Sequence, residues 1–187
     1  KGTVAEIGPG NGSLCEKYNI YCDKVVLFEP SNNLFKNLEH KFQSNGKIKI
    51  YNSEFSSSNE KFDCFLLMDV IEHIENPQTL IKSLYDSLNE NGKILINVPA
   101  YTKSSFVKEL LLIKPKKVKM FYYDLLGYFL SLVSQLLFLV SKKYKKNYKE
   151  DFESKIKLWN YLIPISKILD KCAINSFGKS LFIVINK

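Results

Sequence analysis

The chain has no CxxC pair, no internal repeat, no low-complexity linker and only two histidines in its 187 residues. Without a repeat of fixed period it is not a solenoid or a propeller array. Its four cysteines, Cys15, Cys22, Cys64 and Cys172, show no paired-thiol spacing. Cys64 falls in an apolar run where a thiol serves as a small hydrophobe, so a reduced, cytoplasmic setting is expected. The opening residues of this sequence carry no signal-peptide pattern. The sequence starts almost directly with a strand and lacks an initiator Met, so a further N-terminal segment is expected before Lys1.

What is there suffices for one domain over residues 1–187, with 45% hydrophobic and 25% charged residues. The net charge is +8, from 27 basic against 19 acidic side chains. That balance suits nucleic acid, a phosphorylated substrate or an anionic membrane face, or else only a solvated lysine surface. The excess is concentrated in two runs, Lys114, Lys116, Lys117, Lys119 and Lys142, Lys143, Lys145, Lys146, Lys149.

Short apolar runs alternate with helical patterns through the first hundred residues, the mark of βαβ units and a parallel sheet. Strands are expected at Thr3 to Ile7, Lys24 to Glu29, Lys47 to Tyr51, Phe62 to Met68 and Lys93 to Val98. Phe62 to Met68 does not alternate, so it reads as a central strand buried on both faces. Helices are expected from Ser13 to Tyr18, from Ser31 to Phe42 with Ser31 as N-cap, and from Asn76-Pro77 through Leu80, Ile81, Leu84 and Leu88 to a stop at Gly92. These elements predict a doubly wound α/β sheet. Beyond residue 100, Ser105 to Ile113 reads as helix, Lys117 to Tyr123 as strand, and Leu125 to Val140 as a long apolar helix. A helix from Phe152 to Asp170 should break at Pro164, and Ser180 to Asn186 closes the chain as a strand.

Candidate chemistry begins at Glu6-Ile7-Gly8-Pro9-Gly10-Asn11-Gly12, where a strand hands over to a helix. Three glycines permit a sharp turn and close approach of a ligand. A dinucleotide fingerprint, G-x-G-x-x-G, would need its third glycine at position 13, which is Ser13. Glu29 ends the second strand at about the distance where Rossmann-like proteins set a carboxylate on ribose hydroxyls; the alternative is a solvated strand-end residue.

The E-x-G-x-G-x-G form resembles motif I of the class I S-adenosylmethionine (SAM)-dependent methyltransferases, and Phe62-Asp63 to Asp69-Val70-Ile71-Glu72-His73 resembles their FD…DVLEH stretch. The resemblance implies a Rossmann-like, mostly parallel seven-stranded sheet with helices on both faces and an antiparallel C-terminal strand. It implies SAM as cofactor and S-adenosylhomocysteine (SAH) as product. The Gly8-Pro9-Gly10-Asn11-Gly12 loop would wrap the methionine half with Glu6 near its amino group, and Glu29 with Pro30 would meet the ribose. Ser53 or Glu54 would contact the adenine edge, and Met68, Asp69 and Val70 would line the cofactor. His73 is open to three readings: general base, metal ligand beside Glu72 and Asp69, or brace of the turn. The metal reading comes from E-x-x-E-H methyltransferases, but Asp69 stands where they carry the first Glu. RNA 2′-O-methyltransferases of that kind also need a further downstream histidine, and the other histidine here is His40.

Over most of its length the order of motifs resembles bacterial methyltransferases associated with glycosyltransferases, with Met120 to Gly127 and Phe177 to Lys187 as looser matches. That group carries a lid ending in Gly-His-x-Arg-Arg-Tyr, which this chain lacks after Tyr101, so a lid segment is expected to be missing between residues 101 and 102. Residues 1–100 are expected to bind cofactor and 101–187 to form the substrate side under a helical cover. The expected function is methyl transfer to a small-molecule, sugar or lipid-linked glycan acceptor, at oxygen. The alternatives are a non-catalytic SAM-binding or partner-binding module and an RNA 2′-O-methyltransferase. His73, Tyr101 and Asp124 are the candidates for acceptor chemistry, no metal is expected, and the apolar helix within 114–149 is read as a cover or as peripheral to a membrane face.

Overall fold

In the computed structural model, residues 2–56, 59–100, 115–140, 152–172 and 178–187 are described. The chain forms two compact units, Lys1–Met120 with Phe182–Lys187, and Phe121–Leu181. Seven strands make one sheet: β1 (Thr3–Ile7), β2 (Lys24–Phe28), β3 (Ile48–Tyr51), β4 (Phe62–Met68), β5 (Leu88–Pro99), β6 (Lys117–Tyr123) and β7 (Ser180–Asn186). Their order is β3-β2-β1-β4-β5-β7-β6, parallel through β5 and antiparallel at β7. The order reverses between β1 and β4, and at such a switch point open α/β sheets leave a crevice beyond the strands' carboxyl ends.

Burial follows the residue pattern. Ala5, Val25, Val26, Leu27, Phe65, Leu67, Ile94, Ile96 and Val98 are fully buried on the central strands. Helix α2 (Asn32–Phe42) turns Leu38 and Phe42 into a cluster with Cys15, Cys22, Val25 and Leu27. Helix α3 (Pro77–Asp86) opens with Pro77 at its first position and buries Leu80, Ile81 and Leu84. No helix intervenes between β3 and β4 among the described residues; Phe55 fills that side instead. Its ring meets Phe28 edge-on at 5.1 Å and Phe65 at 5.3 Å, geometries that aromatic quadrupoles favour.

Three expectations are corrected. Helix α3 ends at Asp86, not at Gly92: the Ser87 N–H makes bonds to the Ser83 and Leu84 carbonyls, both at 3.1 Å, and the chain then enters the sheet opposite Phe62. Leu88 is therefore a strand residue, paired with Phe62, and Gly92 lies in an irregular stretch of β5 before the ladder resumes at Cys64↔Lys93. Nor does Pro164 break its helix, which runs unbroken over Phe152–Cys172. Proline removes one backbone hydrogen bond, but buried Ser166 and the bonds to Asp170 anchor the segment beyond it. The helix after the glycine loop, α1, spans Cys15–Tyr18 and does not start at Ser13. There Asn11 Oδ1 accepts the Ser13 N–H at 3.1 Å and hydroxyl at 2.7 Å, a local turn that competes with helix.

In the second unit the apolar run from Phe121 is divided at Asp124, whose φ of 64° ends β6 before helix α4 (Leu125–Val140) begins. Asp124 caps α4, with its Oδ1 accepting the Gly127 N–H at 3.0 Å. Helix α5 (Phe152–Cys172) contributes Asp170, whose carboxylate accepts the N–H groups of Asp124 at 3.1 Å and Leu125 at 2.9 Å. Among the described residues no helix is long and apolar enough to cross a membrane. The expected helix at Ser105 to Ile113, the 101–102 junction and the 142–149 lysine run lie outside the described residues.

Candidate functional site

The glycine loop joins β1 to α1. Gly8, Gly10 and Gly12 have φ of 63°, 58° and 72°, a region in which any side chain is strained. Space separates their roles. A Cβ at Gly8 would lie 2.8 Å from Val70 Cγ2, and one at Gly12 would lie 2.7 Å from Leu38 Cδ2. At Gly10 it would meet nothing within 4 Å. Gly8 and Gly12 therefore let the loop pack against the protein, while Gly10 faces open space.

Glu29, just past β2, is 4% exposed. Its Oε2 accepts the Gly10 N–H at 3.2 Å and its Oε1 the Ser31 N–H at 3.0 Å. The backbone there is fixed by Glu29 N–H to the Tyr51 carbonyl at 3.0 Å, and by the Asn52 amide donating to the Glu29 carbonyl at 3.0 Å. Ser31 stands at the N-cap of α2 as expected, but its side chain makes no cap bond. A carboxylate offers about four acceptor positions, so Glu29 retains capacity for further donors.

Gly8 and Glu29 border a cleft of about 630 Å³, within the range of small-molecule sites. Gly8, Glu29, Pro30, Glu54, Val70 and His73 all line it, so the structure brings six of the sequence candidates together. Ser53 lines a smaller hollow of about 270 Å³ that shares Glu54 with the cleft. Met68 ends β4 opposite Asn97. Asp69 has a φ of 56°, and its N–H bonds the Asn97 carbonyl at 3.0 Å while its Oδ1 accepts from the Asn97 amide at 2.8 Å. His73 closes a short 3-10 turn, Ile71–His73, with its N–H on the Val70 carbonyl at 2.9 Å and its side chain exposed at the cleft. Pro9 is buried in the loop, and Asn11 is exposed, its carbonyl accepting from Lys41 Nζ at 2.9 Å.

Glu6 is not a lining residue. It is 3% exposed, and its Oε2 accepts the Tyr18 hydroxyl at 2.8 Å. Burial raises its carboxyl above the ordinary value, and the Tyr18 hydrogen bond opposes that shift. Burial also pushes the Cys15 and Cys64 thiols up to about 12, which suits packing and not nucleophilic work. Glu72 is half-buried, and its Oε2 has no hydrogen-bond partner. Among the described residues no group of three or more His, Cys, Asp or Glu side chains is arranged to hold a metal ion. Asp124 belongs to the second unit, as a helix cap, and Tyr101 lies outside the described residues. Sequence reasoning missed Phe55 and Thr79 in the cleft wall and Asn97 behind Asp69. Asn97 had a signal, a lone amide in the apolar run Ile94 to Val98; Phe55, in a serine-rich connection, had none.

A protein of Methanocaldococcus jannaschii without assigned function is 31% identical over 127 residues, covering 66% of this chain and 56% of the relative. The chain thus spans about half the length of the curated relative it matches. Among solved structures, N-methyltransferase NodS from Bradyrhizobium japonicum in complex with SAH aligns with a TM-score of 0.53 at 15% identity, covering 63% of this chain and 68% of that one. A SAM-dependent methyltransferase from Archaeoglobus fulgidus aligns with a TM-score of 0.58 at 17% identity, covering 99% and 86%. Identities this low speak to the fold alone. Residues 1–147 match the model of the family described as a methyltransferase domain, and the chain belongs to that family, a class I fold whose methyl donor is SAM.

Proposed function

We propose that the chain is an enzyme that transfers a methyl group from SAM to the oxygen of a small-molecule, sugar or lipid-linked glycan acceptor. The observation that carries this reading is Gly10, open to space, with its N–H on a buried Glu29 carboxylate that lines the cleft and has acceptor capacity left. The residues fit SAM. Gly8 to Gly12 would hold its methionine half, Glu29 and Pro30 its ribose, and Ser53 or Glu54 the edge of its base, with Met68, Asp69 and Val70 alongside. When bound, SAM supplies a methyl group already activated as a sulfonium, which leaves the protein little covalent chemistry. The remaining work is to orient the acceptor, exclude water and accept a hydroxyl proton. His73 is the first candidate for that proton because its exposed side chain borders the cleft; Tyr101 and Asp124 follow.

Residues 1–187 are taken as one functional domain, with 1–100 binding cofactor and 101–187 serving the acceptor. A lipid-linked acceptor and peripheral contact with an anionic membrane face are supported by exposed Phe129 and Leu130 on α4 and by Ile165, Ile168, Lys167 and Lys171 on α5. The test is calorimetry with SAM and SAH, followed by transfer of labelled methyl groups into cell-envelope extracts. Binding of neither compound ends the reading, whereas tight binding with persistent inactivity favours a non-catalytic module.

A further inference from the structure

Helix α1 is four residues long and has no side-chain N-cap, too short to persist by itself in water. Yet it must hold the far end of the glycine loop in register with β1. Tertiary ties do this. Cys15 is fully buried, the Asn19 amide donates to the Cys15 and Glu16 carbonyls at 2.7 and 3.0 Å, and the Tyr18 hydroxyl donates to Glu6 Oε2 at 2.8 Å. Only the last tie joins the strand before the loop directly to the helix after it. Glu6 pairs with Leu27 of β2 and Leu66 of β4, surroundings in which a lone carboxylate is driven towards its protonated form. Of the groups around it, Cys15 is a neutral thiol, and Lys41 of α2 is engaged by Glu16 at 2.9 Å and the Asn11 carbonyl at 2.9 Å. Among the described residues the Tyr18 hydroxyl is the one group that favours the charged form of Glu6.

We propose that Tyr18 is a positioning residue for the cofactor: its hydroxyl, on Glu6 Oε2 at 2.8 Å, holds that buried carboxylate fixed beneath the glycine loop, so that the cationic amino end of a ligand held by the loop lies over it without touching it. This rests on the SAM-binding reading above. Burial already outweighs the tyrosine at Glu6, so removing the hydroxyl leaves burial unopposed and the carboxyl takes up a proton at still higher pH.

The experiment is titration calorimetry of the full chain with SAH over a pH series, for the wild type, Tyr18→Phe and Glu6→Gln. Wild-type affinity should fall along an acid limb as Glu6 protonates. In Tyr18→Phe that limb should move upward, with SAH bound about tenfold more weakly where the wild type is still on its plateau, as expected for one lost hydrogen bond to a charged group. The two affinities should converge at higher pH. A uniform loss at every pH, or an unmoved limb, overturns the proposal in favour of a merely structural tyrosine. Should Tyr18→Phe not fold, Glu6→Gln carries the test, because it still accepts the hydroxyl but cannot ionise; an acid limb that persists in it overturns the proposal. A wild type that binds no SAH at any pH overturns the cofactor reading itself, a result distinct from wild-type binding with no response to position 18.

Discussion

Alanine at Gly10 and alanine at Gly12 impose the same backbone strain and opposite consequences. Both positions hold left-handed φ, 58° and 72°. A β-carbon costs about 1–2 kcal/mol in that region, partly offset by the smaller entropy of the unfolded chain, which leaves about 1 kcal/mol. At Gly12 the added carbon would also lie 2.7 Å from Leu38 Cδ2 and 2.8 Å from Phe42 Cε2, and overpacking of that kind costs about 1–3 kcal/mol more. Thermal unfolding should therefore fall by roughly 2–4 °C for Gly10→Ala and roughly 4–16 °C for Gly12→Ala, at about 2–4 °C per kcal/mol for a chain of this size. Calorimetry with SAH should rank them the other way. The methyl group of Gly10→Ala occupies the space left for ligand and should weaken binding about tenfold or more, a loss of at least 1.4 kcal/mol. Equal melting temperatures, or wild-type SAH affinity in Gly10→Ala, would refute the division of the loop into packed and ligand-facing glycines.

Phe55→Ala should lower unfolding stability by about 3–5 kcal/mol in denaturant titration, because the ring joins Phe28, Phe62 and Phe65 in one cluster; a loss under 1 kcal/mol would mean the connection between β3 and β4 collapses without it. Asp170→Ala removes the acceptor for two N–H groups at the start of α4 and should cost about 1–2 kcal/mol in the same assay, while Asp170→Asn, which keeps one acceptor oxygen, should cost less. The raised Glu6 carboxyl has a signed effect on stability. Folded protein holds that proton more tightly than unfolded chain, whose value is the ordinary 4.5, so the contribution is complete below that pH and is lost as pH rises through the folded value. The stability of wild type relative to Glu6→Gln should accordingly decline with rising pH, and a difference that grows with pH would contradict the burial of Glu6.

Much of residues 1–100 was legible because its signals are local. Glycine spacing fixes where the chain can turn left-handed, and the unbroken apolar run from Phe62 to Met68 marks a strand covered on both faces. Errors arose where two local signals compete for one residue. Leu88 fits the helical spacing of Leu80, Ile81 and Leu84, yet the strand pairing to Phe62 claims it, and no periodicity reports a long-range ladder. Pro164 is the converse, a strong breaker overridden by contacts six residues on, at Asp170. In the site, the carboxylates announced themselves but their partners did not. Nothing in the spacing of Glu6 and Tyr18, or of Asp69 and Asn97, indicates a hydrogen bond, because each pair is brought together by the fold.

Asp69 also bears on any effort to make the protein hardier. A non-glycine residue held at left-handed φ by its bonds to Asn97 stores about 1 kcal/mol of backbone strain. Directed evolution for thermal tolerance alone should thus drift towards glycine at position 69. Selection that retains Asp there at elevated temperature would identify the carboxylate's fixed aim as worth more to the organism than the stability it forgoes.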